Sequence, residues 1–139
     1  EAHLKSLSVL VNASDALREK VKWLGELPEF EYRCTLANAT FLWHAGKIDN
    51  GSFSVVEAAS LGVPSLSSDY PAMREMDAQF SLQLSWMNAS DYKEMAHQLK
   101  DMELTYLSKK ALLPSPEVLA EQGVEKLAAQ YWGVIRECL

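Results

Sequence analysis

Cysteine is scarce in this 139-residue chain: Cys34 and Cys138 are the only two, too few and too isolated for a disulfide framework or a zinc site. A reducing compartment follows as the expectation. Bases are scarce as well. Thirteen Lys and Arg against nineteen Asp and Glu give a net charge of −6, which argues against a general nucleic-acid binder, whose affinity comes from neutralising phosphates. No apolar run approaches the roughly eighteen residues that signal a transmembrane helix, and Glu1-Ala2-His3 offers neither a starting Met nor a signal peptide's basic-then-apolar profile. The expectation is a cytoplasmic chain without a transmembrane segment, cut from something longer.

Familiar phosphate-binding motifs are missing too. Gly46 and Gly51 have the spacing of a P-loop's glycines, yet Ser52-Phe53 stands where Lys-Ser/Thr would hold the phosphates. No G-x-G-x-x-G follows an expected strand, so a dinucleotide-binding turn is lacking. Internal repeats and low-complexity segments are absent. Four Asn-x-Ser/Thr triplets, at Asn12, Asn38, Asn50 and Asn88, read as turn and cap residues.

What is present suits one globular domain over residues 1–139: 48% of residues are hydrophobic and 23% charged. At this length roughly 68–70% of the unfolded surface can be buried, so the core needs no staples. Short apolar, β-branched runs predict strands at 6–11, 21–24, 40–44, 65–67 and 81–84. Helices are expected from Pro28 to about Asn38, over 55–61 before Gly62 and Pro64, as a turn at 72–76, from a Ser90 cap to about Glu103, and as an amphipathic helix over 116–139. Strands alternating with helices predict an α/β fold, a mostly parallel sheet with helices on both faces and ligands at the carboxyl ends of the strands. Residues 51–88 carry a single base, Arg74, and are expected to be buried or to face a ligand.

Chemistry concentrates just after the third expected strand. Asp49 and Glu57 flank a Gly- and Ser-rich loop, so two carboxylates can approach one ligand. Gly51, Ser52, Phe53 and Ser54 would offer backbone N–H groups at a helix N-terminus to an anion such as a diphosphate. Glu57 would repel that anion and must instead accept from hydroxyls. His44 at the strand end and Lys47 are the neighbouring groups able to reach phosphate or sugar. Plainer roles fit these residues as well: Glu57 as a first-turn acid favoured by the helix dipole, Asp49 as a turn former beside Asn50-Gly51, Lys47 as a solvated cation, and Glu75 as a helix-turn residue. Trp23, Trp86 and Trp132 are expected to pack in the core or under a partner domain.

Residues 49–75, from Asp49-Asn50-Gly51-Ser52-Phe53-Ser54-Val55-Val56-Glu57-Ala58 through Gly62-Val63-Pro64 to Ser68-Asp69-Tyr70-Pro71-Ala72-Met73-Arg74-Glu75, resemble the donor-binding signature of retaining GT-B glycosyltransferases of the glycosyltransferase family 4 type. The signature comprises an acid, seven residues, Glu-Ala, a helix, a Gly-x-Pro strand start and a Ser-Asp-x-Pro-x-x-x-Glu turn. The likeness extends over about residues 20–105. It implies a Rossmann-like domain, the C-terminal half of a GT-B fold, truncated on its N-terminal side. It also implies transfer of a hexosyl residue from a UDP- or GDP-linked sugar to a glycan or lipid-linked acceptor, with the acceptor held by an N-terminal domain. Residues 70–74 lean towards bacterial mannosyltransferases of polysaccharide biosynthesis, cytoplasmic or peripheral at the inner membrane.

In that likeness Glu57 accepts from the ribose hydroxyls, and Asp49 takes the place of the acid near the sugar hydroxyls or the reacting centre, one methylene shorter than the usual Glu. No metal and no further cofactor is implied, since these enzymes work without an Asp-x-Asp pair and this sequence has none. Two departures stand out. The family's Gly-Phe-Gly is Asn50-Gly51-Ser52 here, with the aromatic displaced to Phe53, and the Arg and Lys that neutralise the leaving diphosphate are not found. Both departures also permit a non-catalytic α/β binding or assembly module of GT-B-like shape.

Overall fold

A computed structural model describes residues 2–47, 51–121 and 123–137. The chain divides into two compact units, residues 1–32 and 33–139.

The first unit is helical. Helices α1 (Ala2–Asn12) and α2 (Asp15–Lys20) are joined by a short turn, and Arg18 pairs with Asp15 one turn away at 2.6 Å. The strand expected at 6–11 is therefore helix. Leu4, Leu7 and Leu10 recur every three residues, a helical period, and the Ala13 amide continues the ladder to the Val9 carbonyl. The strand expected at 21–24 is also absent. Val21 has extended dihedrals, but its amide closes α2 on the Leu17 carbonyl, and an extended segment without a neighbour makes no sheet. Trp23 is half-exposed here rather than packed in a core.

The second unit holds a three-stranded parallel sheet in the order β1 (Leu42–His44), β2 (Ser65–Ser68), β3 (Ser85–Met87). α3 (Glu29–Ala37), continuous across the sequence boundary between the units, precedes it and matches the expected helix after Pro28. Asn38 closes that helix, its side-chain amide donating to the Cys34 carbonyl at 2.7 Å. The mixed α/β class and the parallel pairing are as expected, with three strands in the sheet among the described residues rather than five.

Strand alternation sends side chains to two faces. Leu42 and Trp86 pack on one face with α4 (Ser54–Ser60), α5 (Pro71–Phe80) and α7 (Pro116–Glu121), around Val55, Ala59, Met73, Met76, Phe80 and Leu119. Leu66 and Met87 pack on the other against Met95, Leu99 and Met102 of α6 (Tyr92–Lys110). Both faces thus carry helices. Among the described residues, every buried apolar side chain except Leu36, Met102 and Leu119 lies within 51–88, the stretch singled out for its lack of bases.

Local chemistry sets the element ends. α4 stops in a Schellman motif, with the Gly62 and Val63 amides returning to the Ala59 and Ala58 carbonyls and Gly62 at φ +72°. α5 is a full helix rather than a turn, and its left-handed cap at Ser81 together with the positive φ of Gln83 excludes the strand expected at 81–84. That strand begins at Ser85 instead. The cap of α6 is Asp91, not Ser90: its carboxylate accepts from the Lys93 and Glu94 amides. The helix expected over 116–139 is broken next to Gly123, whose amide turns back to the Ala120 carbonyl, giving α7 and α8 (Val124–Glu137). Trp132 on α8 is half-exposed. No helix among the described residues is long and apolar enough to cross a membrane.

Candidate donor site

The carboxyl ends of parallel strands meet the loops that follow them, and here those loops carry the expected site. β1 ends at His44, and the chain then passes through Lys47, which is exposed. Asp49, expected to lie at the reacting centre, falls outside the described residues, as does Asn50. The chain resumes at Gly51 with φ +93°, a conformation that favours glycine. A Cβ at Gly51 would lie 2.5 Å from Met76 Sδ and 3.1 Å from its Cγ, so the loop rests directly on α5.

The same packing redirects one of the expected phosphate donors. The Ser52 amide donates to Met73 Sδ at 3.4 Å, inward to a fully buried thioether rather than outward to solvent. Ser52 and Ser54 share a hydroxyl hydrogen bond of 2.7 Å. Phe53, 61% exposed, forms the cap position of α4 without a side-chain cap bond, and meets Phe80 edge-on at 6.4 Å.

Glu57 lies in the first turn of α4 and is exposed. It lines an open groove of about 380 Å³ together with Phe53, Val56 and Ser60 of α4 and with Pro116, Leu119 and Ala120 facing them from α7. This groove is largely apolar with one carboxylate, a composition suited to a flat or apolar moiety that also carries hydroxyls. Phe53 and Glu57 therefore share one concavity, while Gly51 and Ser52 are packed on α5.

His44 joins a second group on the edge of the sheet. Its Nδ1 lies 3.2 Å from Ser67 Oγ in β2, its carbonyl accepts from Ser68 Oγ at 3.4 Å, and its ring is 6.4 Å from that of Tyr70. Register explains the meeting, because His44 and Ser67 are direct partners in the β1–β2 pairing. Neither Ser67 nor Tyr70 was singled out from sequence; a serine within a short strand carries no signal of its own.

Beside this edge Arg74 grips Asp69 through two hydrogen bonds of 2.8 and 2.7 Å and lies over the Trp86 ring at 3.9 Å. The Arg74 hydrogen bonds hold the Asp69 carboxyl below its ordinary value and raise the guanidinium's own. Arg74, the single base of residues 51–88, is thus engaged in tying α5 to the β2 and β3 ends. Glu75 is exposed on the same helix.

Comparison with known proteins assigns no relative: no family model matches the chain, and neither a curated protein nor a solved structure does.

Proposed function

We propose that this chain is the donor-binding part of a retaining GT-B glycosyltransferase, taking a nucleoside diphosphate sugar and presenting its hexosyl group to an acceptor held by a further domain. The observation that carries the reading is the succession of elements under the signature residues. β1 feeds the loop at 51–53, Glu57 falls in the first turn of α4, Gly62-Val63-Pro64 turns the chain into β2, and Ser68-Asp69-Tyr70-Pro71 leads from β2 into α5.

In this reading Glu57 accepts from the ribose hydroxyls, with Phe53 and the groove wall beside the nucleoside. Asp49 serves near the anomeric carbon. Lys47, His44, Gly51, the amides of Phe53 and Ser54 and the hydroxyls of Ser52 and Ser54 surround the diphosphate and sugar, the Ser52 amide being turned to Met73. Retaining transfer depends on holding the acceptor against the anomeric carbon, positioning that can lower a barrier by roughly 7–11 kcal/mol. The N-terminal domain would supply it. A bacterial mannosyltransferase is the form of the proposal that residues 70–74 favour.

One observation favours a second reading, a GT-B-like binding module without catalysis: the Ser52 amide, which a phosphate cradle would use, is spent on Met73 Sδ. Calorimetric titration with UDP and GDP separates these from an unrelated α/β domain. The proposal expects binding of one of them, weakened about tenfold to a hundredfold in Glu57→Ala, the loss of a hydrogen bond to a charged group. Absence of binding to either nucleotide would exclude the donor-site reading.

A further inference from the structure

We infer that Met73 is a positioning residue for the donor site: its buried sulfur holds the Ser52 amide, and through it the hydroxyl pair of Ser52 and Ser54 that meets the diphosphate. The ligand in this inference rests on the donor-site reading, whereas the bond does not.

Met73 is fully buried in the cluster around Val55, Ala59, Met76 and Phe80, a place where leucine would fill much the same space. Leucine, however, has no atom that accepts a proton. The Ser52 amide turns into this cluster and donates to Met73 Sδ at 3.4 Å, and a thioether is a weak acceptor carried on an otherwise apolar side chain. Methionine thus packs the core and satisfies an inward amide at once. Without the sulfur, that N–H would either stay unpaired at a cost or turn away towards water.

The bond has a consequence for the rest of the loop. Gly51 leads in at φ +93°, the amide fixes the planar peptide between Gly51 and Ser52, and the Ser52 hydroxyl then meets that of Ser54 at 2.7 Å. Each hydroxyl carries one proton, so a pair that shares one of them keeps a second to donate. A diphosphate oxygen accepts such a proton. If the amide loses its acceptor, the peptide is free to turn and the hydroxyl pair comes apart.

Amide hydrogen exchange of the full chain, followed by NMR, tests the bond. In wild type the Ser52 amide should exchange at least about tenfold more slowly than an unprotected one. In Met73→Leu, a substitution close in volume, Ser52 should lose about fivefold in protection, the loss of one hydrogen bond. Met102→Leu, at an equally buried methionine on the other face of the sheet, should leave Ser52 unchanged. An unprotected Ser52 amide in wild type overturns the inference without recourse to any variant. A loss in Met73→Leu spread evenly over α5 and the sheet reduces Met73 to packing and overturns it as well. Titration with UDP and GDP then tests the ligand. Met73→Leu should weaken whichever nucleotide wild type binds by about fivefold, and in a Ser54→Ala background the same substitution should add little, because both act on one hydroxyl pair. Unchanged affinity in Met73→Leu, or losses that add in the double variant, overturn the positioning role. Failure of both nucleotides to bind wild type removes the donor-site reading and Met73's part in it, the amide bond having been decided by exchange alone.

Discussion

Substituting Gly51 by Ala probes the packing that seats the loop on α5. Two costs add. At φ +93° an L side chain is strained by about 1–2 kcal/mol, and the new Cβ would stand 2.5 Å from Met76 Sδ, where displacing a buried side chain costs about 1–3 kcal/mol. Stiffening of the unfolded chain returns about 0.4–1 kcal/mol, which leaves a net destabilisation of roughly 1–4.6 kcal/mol. Gly62→Ala supplies the comparison: its φ is +72°, but a Cβ there meets Lys110 Cε at an ordinary 3.6 Å, so strain acts without collision and the net cost is about 0–1.5 kcal/mol. Urea unfolding followed by far-UV circular dichroism reads both. With a slope of about 2 kcal/mol per molar, Gly51→Ala should lower the midpoint by roughly 0.5–2.3 M. In a Met76→Ala background the same substitution should approach the cost of Gly62→Ala, because the obstructing sulfur is gone. Equal midpoints for the two glycine variants in the wild-type background would refute the close approach of loop and helix.

The remaining expectations concern caps and charge. Asp91→Ala removes the carboxylate that accepts from two amides at the start of α6 and should cost about 1 kcal/mol, read as a lower thermal midpoint that Asp91→Ser largely restores. Because Arg74 holds the folded Asp69 carboxyl below its ordinary value, the pair's contribution to stability is present above the unfolded Asp value of about 3.9 and is lost as pH falls through the lower folded value. Wild type should therefore lose more stability between pH 5 and pH 2 than Asp69→Asn does; the contribution is small, since both side chains are about half exposed, and identical acid limbs would count against the ion pair.

How much of this was legible in sequence depended on whether the deciding forces were local. β1, β2, α3 and α4 announced themselves through apolar runs bounded by Pro28, Gly62 and Pro64, residues whose backbone preferences act at their own positions. The segment at 6–11 misled because its valines suggest a strand while Leu4, Leu7 and Leu10 keep helical spacing. At 21–24 the residues suit a strand, but pairing needs a neighbour, which no local pattern supplies. The strand at 81–84 was displaced by the left-handed residues Ser81 and Gln83, neither of them a glycine that would have flagged the turn.

The candidate site divides in the same way. Glu57 in the first turn of α4 and the turn at Gly51 followed from sequence, since both depend on neighbours along the chain. The Ser52 amide's bond to Met73, the seating of Gly51 on Met76, the His44–Ser67 contact and the Asp69–Arg74–Trp86 group all join residues from different elements. Their geometry exists only once α5 and the sheet have been assembled.

Backbone amide chemical shifts recorded during titration with UDP and with GDP test the central claim most directly, because they report where a nucleotide sits as well as whether it binds. A donor site predicts saturable shifts at Gly51 to Glu57, with the exposed face of α6 unmoved and the response diminished in Glu57→Ala. Saturable shifts confined to α6 or to the helices of residues 1–32, or no shifts with either nucleotide at millimolar concentration, would contradict it.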